Sequence, residues 1–293
     1  MTARRQRHTS RRSGGSVADM HGRRVVVTGA ASGLGRAFAT AFGEQGASLA
    51  LCDLDLERLD AVAMDLRTRG CTVQTWRVDV ADPDDMARFA REVGEGGPVH
   101  MVVNNAGVAV GGLMADTPPA AWRKVVDVNL LGVVHGCHAF LPLLEQADGR
   151  RAFINVASAS AFAGVPGLGA YAATKAAVLS LSQTLLAELD GHGIQVHCVC
   201  PGFVRTGLLG QTDMFLPDAE QARDFLWEKV FRPERTTDQV AKATLKAVHS
   251  NRFLVPVFSE GHVGNLLRRM PEGVGALLRR QMMGRIAALT NAS

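Results

Sequence analysis

Thr28-Gly29-Ala30-Ala31-Ser32-Gly33-Leu34-Gly35 is the most informative segment for the fold of this chain of 293 residues. It directly follows the apolar run Arg24–Thr28 and opens a helical pattern over residues 33–45. Glycines at a strand-to-helix turn let backbone amides approach a pyrophosphate, and the helix N-terminus then faces its negative charge. A tight turn that needs only small residues is the alternative. We predict a dinucleotide-binding turn, in which the cofactor contacts are Gly29, Ser32, Gly33, Leu34 and Gly35.

Short apolar runs alternate with helical patterns along the rest of the chain. Runs rich in Val, Ile and Leu, without polar alternation, suit strands that are covered on both faces. Strand–helix alternation implies right-handed crossovers and a doubly wound sheet. We predict an α/β fold, a single doubly wound Rossmann-type domain with a mostly parallel, seven-stranded sheet. The predicted strands are Arg24–Thr28, Ser48–Cys52, Val73–Val78, Val99–Val103, Ala152–Ala157, Gln195–Val199 and Phe253–Val257, and the predicted helices cover 33–45, 56–69, 83–94, 119–145, 170–190 and 237–250.

Composition divides the chain into a tail, one domain and an extension. Residues 1–19 carry five arginines and one aspartate, so their net charge of +4 equals that of the whole chain. We predict a disordered basic tail over 1–19, one domain over 20–260 with a long, apolar and irregular insertion at 203–235, and a C-terminal helical extension over 261–293. The tail is interpreted as a solvated extension, with a nucleic-acid tether, an anionic-surface tether or a transit peptide as alternatives. The neutral body argues against a nucleic-acid partner.

The cysteines and histidines favour a reducing compartment and no metal site. The five cysteines are scattered and form no C-x-x-C pair, which is typical of reduced core thiols in a cytoplasmic protein. The nine histidines form no ligand-spaced cluster with Cys or Glu. The uncharged stretch 152–174 is long enough to cross a bilayer. Its glycines, serines and Pro166 interrupt it, so we predict no integral membrane segment.

An acidic residue closes the second predicted strand. Asp53 stands eighteen positions after Gly35, where a carboxylate would accept hydrogen bonds from the adenosine ribose and repel a 2′-phosphate. Leu54 and Ser32 stand where an NADP site would tend to supply basic residues. These residues favour NAD over NADP as cofactor. A solvated aspartate is the alternative, and Asp55 nearby leaves the choice of carboxylate open.

The only tyrosine of the chain precedes a lysine by four residues, in Tyr171-Ala172-Ala173-Thr174-Lys175. On a helix these two residues share a face. A nearby ammonium favours the phenolate and lowers the pKa of the phenol, which would make Tyr171 a general acid/base for an alcohol or carbonyl. An ordinary Tyr–Lys pair on a helix is the alternative.

The motifs together resemble those of the short-chain dehydrogenase/reductase family. They appear in the family's order over residues 22–258: the glycine turn, then Asp79-Val80, Asn104-Asn105-Ala106-Gly107, Asn129, Ser158, Tyr171-x-x-x-Lys175, and Pro201-Gly202 with Thr206. Ser158 precedes Tyr171 by thirteen residues, as the family pattern requires. The resemblance implies an oxidoreductase that acts on a CH–OH group with NAD, or less favourably NADP, as acceptor.

The resemblance also implies roles for the catalytic residues. Tyr171 would exchange a proton with the substrate oxygen, and Lys175 would lower its pKa and hydrogen-bond the nicotinamide ribose. Ser158 would hydrogen-bond the substrate oxygen, with Ser160 as a neighbour to exclude. Asn129 would hold a water that passes protons from Lys175 to solvent. Because asparagine is a poor interior helix residue, a local helix distortion is expected there.

The remaining implied residues would hold the cofactor. Asp79 would bind the adenine amino group beside Val80. Asn104, Asn105, Ala106 and Gly107 would line the cofactor floor, with a polar turn as the alternative for the two asparagines. The nicotinamide carboxamide would meet Pro201, Gly202, the Val204 backbone and the Thr206 hydroxyl. The family further suggests a homodimer or homotetramer through the helices 119–145 and 170–190.

The substrate class is read from the insertion after Thr206. The resemblance makes residues 20–260 the catalytic domain and 203–235 its substrate-loop insertion. This insertion is rich in apolar residues, which suits a medium-to-large apolar hydroxyl/carbonyl substrate such as a ring-bearing secondary alcohol or ketone, unless these residues only pack onto the domain. They include Leu208, Leu209, Met214, Phe215, Leu216, Phe225, Leu226, Trp227 and Phe231. The extension carries Val274, Leu278, Met282 and Ile286 at four-residue spacing. We interpret this stripe as a packing surface or subunit contact, with a lid or peripheral membrane association as alternatives. A non-catalytic dinucleotide sensor on the same fold is the competing function.

Overall fold

The protein is described from a computed structural model, which covers residues 20–164, 167–204, 212–215, 220, 234–268 and 273. The predicted basic tail, Thr206, most of the substrate-loop insertion and most of the C-terminal extension lie outside these residues.

A sheet of seven strands forms the centre of the described chain, in the order β3-β2-β1-β4-β6-β7-β9. Every neighbouring pair in this sheet is parallel. Each predicted strand is present with its ends shifted by at most two residues, so the predicted doubly wound fold is confirmed. The strands are β1 Arg24–Thr28, β2 Ser48–Asp53, β3 Val73–Arg77, β4 Met101–Asn104, β6 Arg151–Val156, β7 Ile194–Pro201 and β9 Leu254–Val257.

Helices cover both faces of the sheet, which explains why its central strands are mostly apolar and buried, whereas the edge strand β3 (VQTWR) is only partly buried. Phe38 and Phe42 pack on one face, and Phe89, Phe140 and Phe153 belong to the core on the other. Burial of such side chains contributes about 1.5–3 kcal/mol each. The helices are α1 Gly33–Gly43, α2 Leu56–Thr68, α3 Pro83–Glu95, α4 Pro119–Val126, α5 Gly132–Glu145, α6 Gly169–Glu188, α7 Thr237–Ser250 and α8 Phe258–Leu267.

Side-chain caps define where several of these helices begin. Asp55 accepts from the Arg58 amide at the start of α2, and Asp82 accepts from the amides of Asp84 and Asp85 at the start of α3. Such a cap contributes about 1 kcal/mol because it satisfies backbone N–H groups that have no partner within the helix. Strands therefore end and helices begin along one edge of the sheet, which is where the site lies.

The helix predicted over 119–145 is interrupted. A π-helical turn, Asp127–Leu131, joins α4 to α5 and contains Asn129. The predicted helix distortion at this asparagine is thus confirmed. The helical stretch Pro119–Glu145 is also long and apolar enough to cross a membrane by length and composition, a criterion that the core helix of a globular protein meets as well.

Two short strands were not predicted. β5, Val110–Gly112, pairs in parallel with β8, Asp213–Phe215. With only three residues each and two glycines in β5, they carry no alternation signal. Their pairing fastens a described part of the predicted insertion to the loop after β4. At the other end of the chain, α8 runs across the predicted domain boundary at residue 260.

Candidate active site

A cavity of about 700 Å³ lies along the carboxyl ends of the sheet strands. This edge is where parallel α/β sheets bind ligands. The structure brings most predicted site residues to its wall. They are Gly29, Ser32, Gly33, Leu34, Asp53, Asp79, Val80, Asn105, Ala106, Gly107, Ser158, Tyr171, Lys175, Pro201, Gly202 and Val204. Gly35 and Asn129 do not line it.

The glycine turn is shaped by close backbone contacts. Gly29 and Gly33 have φ angles of 64° and 52°, in a region that residues other than glycine rarely adopt. A Cβ on Gly29 would also lie 2.8 Å from the Ala106 Cα atom. Gly35 does not line the cavity, and its predicted cofactor contact stays a prediction. A Cβ there would lie 2.0 Å from the Gly29 carbonyl oxygen. Gly35 therefore lets α1 pack against the turn.

The start of α1 fits a pyrophosphate. Ser32 precedes the helix in an extended conformation and makes no side-chain cap, and the first turn holds no acidic residue. The first turn of α1 therefore carries no side-chain acceptor of its own, and Ser32, Gly33 and Leu34 line the cavity next to Gly29. Such a helix N-terminus with its positive dipole end is suited to a phosphate group.

The Asp53 carboxylate is hydrogen-bonded to the glycine turn. Its Oδ2 atom accepts from the Ala31 amide at 2.9 Å, and its Oδ1 atom accepts from the Asp55 amide at 3.1 Å. The carboxylate of Asp55 instead caps α2 at the Arg58 amide, 3.0 Å away. Arg58 also lines the cavity and was not predicted, although its position in the first turn after Asp55 could have indicated it.

Asn105 supports the turn from the neighbouring strand. Its side-chain amide donates to the carbonyl oxygens of Thr28 and Gly29, at 2.9 and 3.1 Å. The Thr28 hydroxyl in turn accepts from the backbone amides of Asn105 and Ala106, both at 3.0 Å. Thr28 was missed because its sequence signal is an ordinary strand end. Asn104 points into the core instead, where it donates to Asn155.

Asp79 and Val80 lie on the wall after β3. The Asp79 carboxylate accepts from the Ala81 amide at 2.9 Å, and the Asp79 amide donates to Asp85 at 2.7 Å. His135 hydrogen-bonds the Val80 carbonyl oxygen at 2.9 Å. These bonds hold the loop in one conformation at the cavity.

Three side chains with acid/base chemistry meet at the carboxyl end of β6. Tyr171 and Lys175 lie one turn apart on α6, with the Lys175 Nζ atom 5.7 Å from the tyrosine ring centroid. The Lys175 ammonium donates to the Val156 carbonyl oxygen at 2.9 Å. Ser158, two residues further along, hydrogen-bonds the Tyr171 hydroxyl. The fold thus brings together Ser158 and Tyr171, which are thirteen positions apart in sequence.

Burial controls the protonation of the pair. It raises the pKa of Tyr171, and the hydrogen bond from Ser158 opposes this effect. It lowers the pKa of Lys175 from 10.5 to about 8. The expectation that Lys175 makes Tyr171 more acidic is therefore corrected, because burial disfavours the charged form of both groups. Tyr171 is a protonated phenol at neutral pH.

Asn129 links the π-helical turn to two neighbouring elements. Its Oδ1 atom accepts from the Val108 amide at 2.8 Å, and its Nδ2 atom donates to the Val108 carbonyl oxygen at 2.9 Å. Nδ2 also lies 3.3 Å from the Thr174 hydroxyl, which donates to the Tyr171 carbonyl oxygen at 2.8 Å. Thr174 is a second residue that the motifs did not indicate. A Cβ on Gly107 would lie 3.1 Å from Asn129 Oδ1 and 3.5 Å from Lys175 Nζ, so both side chains flank Gly107.

The cavity beyond Tyr171 has a largely apolar wall with one acidic group. Val108, Leu168, Met214 and Val263 line it together with Glu260 from α8. The Glu260 carboxylate is paired with Arg235 and lies 3.4 Å from the Ser259 hydroxyl. This contribution of α8 was not predicted, since α8 follows the last sheet strand and carries no motif.

Known proteins resemble this chain over most of its length. The family model for short chain dehydrogenases matches residues 23–215. The probable oxidoreductase EphD of Mycobacterium tuberculosis is 34% identical over 267 residues, 88% of this chain and 45% of that protein, so the chain spans about half the relative's length. The 2-(R)-hydroxypropyl-CoM dehydrogenase of Xanthobacter autotrophicus is 35% identical over 231 residues, 75% of this chain and 89% of that one. A solved short chain dehydrogenase/reductase from Burkholderia phymatum, in complex with NAD, has a TM-score of 0.76 and 31% identity and covers 81% of this chain and 89% of its own.

Proposed function

Because the chain belongs to the short-chain dehydrogenase family, we propose that it is an NAD(H)-dependent oxidoreductase that interconverts a secondary alcohol and a ketone. One observation carries this proposal: Ser158, Tyr171 and Lys175 line the same cavity as the glycine turn and Asp53. NAD(H) in that cavity would accept or supply a hydride. The name of the Xanthobacter relative and the NAD in the Burkholderia structure agree with this chemistry.

Tyr171 is the general acid/base of the proposed reaction. Its raised pKa keeps the proton on the phenol oxygen at neutral pH, so in reduction it donates that proton to the oxygen of the substrate. Ser158 hydrogen-bonds the phenol oxygen and stabilises the phenolate that remains. Lys175, one helical turn from Tyr171, would hydrogen-bond the nicotinamide ribose. In oxidation the phenolate takes a proton back from the alcohol.

The cofactor end of the cavity favours NAD. The N-terminus of α1 and the glycine turn would hold the pyrophosphate, and Asp53 would accept hydrogen bonds from the ribose. A 2′-phosphate next to this carboxylate would be repelled, because like charges in contact cost several kcal/mol. Asp79 and Val80 would hold the adenine, and Gly202 and Val204 the carboxamide.

The proposed substrate is an apolar hydroxyl or carbonyl compound, and the proposed compartment is the cytoplasm. Support for the first comes from the apolar wall beyond Tyr171. Support for the second comes from the five cysteines, all of which are free thiols. We also propose a homodimer or homotetramer through α4, α5 and α6. Leu131, Val134 and Leu186 on these helical segments are exposed apolar side chains, of the kind that subunit contacts cover.

The test is a panel of secondary alcohols and ketones followed by NADH absorbance, with NAD and NADP in parallel. Tyr171→Phe should abolish turnover while NADH binding, followed by fluorescence, stays near the wild-type value. Ser158→Ala should lower kcat by about a hundredfold. Ser180→Ala on the exposed face of α6 is the matched control and should keep full activity. Near-normal turnover by Tyr171→Phe would refute the proposed acid/base.

A further inference from the structure

The short β5–β8 pairing fixes the position of Met214. The register pairs Val110 with Asp213, Gly111 with Met214 and Gly112 with Phe215. Phe215 packs against the apolar cluster around Val110. The pairing therefore holds Met214 in a defined place, although it belongs to the predicted insertion.

Two further contacts strengthen this placement. The Lys124 ammonium lies 2.9 Å from the Asp213 carboxylate. Gly112 donates from its amide to the Gly167 carbonyl oxygen at 2.8 Å and forms a bridge with Leu168. Because Leu168 lies one helical turn before Tyr171, the β5–β8 pair is tied to the catalytic end of the cavity.

The Met214 side chain covers Gly111. A Cβ built on Gly111 would lie only 2.3 Å from the Met214 Sδ atom. The same methionine lines the cavity that Tyr171 and Ser158 share. Gly111 thus provides the space for the thioether, and any larger residue there would push the flexible methionine end into the cavity.

We propose that Met214, seated on Gly111, is the specificity-determining wall of the substrate end and sets how large an apolar alcohol or ketone the site accepts. Methionine is unbranched and polarizable, so it adapts to rings and alkyl chains alike. Leu168 and Val263 on the same cavity wall are apolar as well. The substrate class is therefore a secondary alcohol whose apolar body contacts the methionine. This inference rests on the proposed dehydrogenase function.

The experiment compares kcat/KM for isopropanol, cyclohexanol and a naphthyl-substituted ethanol across variants. Met214→Ala should raise the ratio of bulky to small substrate by at least about tenfold, the lower end of the discrimination that one methylene-sized group gives in an apolar pocket. Gly111→Ala should shift the ratio in the opposite direction. Met114→Ala, at a methionine that is 77% exposed, is the matched control and should leave the ratio unchanged.

The outcomes separate this inference from the function on which it rests. Turnover by the wild type with the same substrate ratio in Met214→Ala and Met114→Ala would overturn the inference alone. A uniform loss across all three alcohols would also overturn it. No turnover of any substrate by the wild type would refute the proposed function and the inference with it. If Met214→Ala fails to fold by thermal unfolding, Gly111→Ala decides, with the volume-conserving Met214→Leu as the variant that should keep the wild-type ratio; an unchanged ratio in Gly111→Ala overturns the inference.

Discussion

Replacing Lys175 by methionine should make the protein more stable at neutral pH while it abolishes turnover. Lys175 is 4% exposed, and burial lowers its pKa from 10.5 to about 8. Each pKa unit is worth about 1.4 kcal/mol, so keeping the ammonium inside the folded protein costs about 3 kcal/mol. Methionine fills a similar volume without the charge. It loses the hydrogen bond to the Val156 carbonyl oxygen, which offsets about 1 kcal/mol of the gain.

The pH dependence identifies the cause of this difference. Below about pH 8 the folded and the unfolded protein both carry the ammonium, so the full cost is present. Between about pH 8 and 10.5 the unfolded protein binds more protons, so the wild type gains stability as the pH rises. The methionine variant has no such gain. We therefore expect a stability advantage of about 2 kcal/mol at pH 7 that disappears as the pH rises above 8.

Urea unfolding of both proteins, followed by tryptophan fluorescence at one fixed protein concentration, measures this difference. Groups other than Lys175 titrate in both proteins and cancel in the difference. Lys246→Met, at an exposed position of α7, controls for the loss of a surface lysine. A difference between Lys175→Met and wild type that stays constant from about pH 7 to about pH 9.5, or that grows over this range, would contradict the role assigned to burial.

Three further predictions follow from the site. Tyr171 is the only tyrosine, so tyrosinate absorbance should show that it titrates at higher pH in the folded than in the urea-unfolded protein. Ser158→Ala should move the titration of the folded protein higher still, because the hydrogen bond from Ser158 lowers the pKa of Tyr171. Equal titrations of the folded and unfolded protein, or of the wild type and the variant, would contradict these expectations. Gly35→Ala places a Cβ 2.0 Å from a carbonyl oxygen of the glycine turn. The variant should therefore lose about 1–3 kcal/mol of unfolding free energy and bind NADH more weakly. Gly191→Ala, where the new Cβ has no atom within 4 Å, is the control and should change neither quantity. Asp53→Ser should raise the kcat/KM ratio of NADP to NAD by at least about tenfold, and an unchanged ratio would show that this carboxylate does not select the cofactor.

Local sequence patterns were sufficient to predict the secondary structure and the doubly wound fold. Residue spacing was enough to place three segments on a strand, a turn and a helix, because the conformation of each depends on neighbouring residues. These segments are the apolar run before Gly29, the glycine turn and the five-residue stretch from Tyr171 to Lys175. The predicted and observed sheet strands agree because parallel strands that are covered on both faces form largely apolar runs, which the sequence shows directly. The helix distortion at Asn129 was also predicted, since asparagine is a poor residue inside a helix.

Contacts between residues far apart in sequence were decided only by the tertiary structure. Reading the amino-acid order alone was enough to predict that a strand, a glycine turn and a Tyr–Lys helix follow one another, because each depends on periodicity within a few residues. It could not determine that Thr28 accepts from Asn105, 77 positions away, or that Met214 covers Gly111. The direction of the Tyr171 pKa also depended on the fold, since desolvation is the sum over every element packed around the phenol. Pairing and burial are properties of the whole packed chain, and no local spacing encodes them.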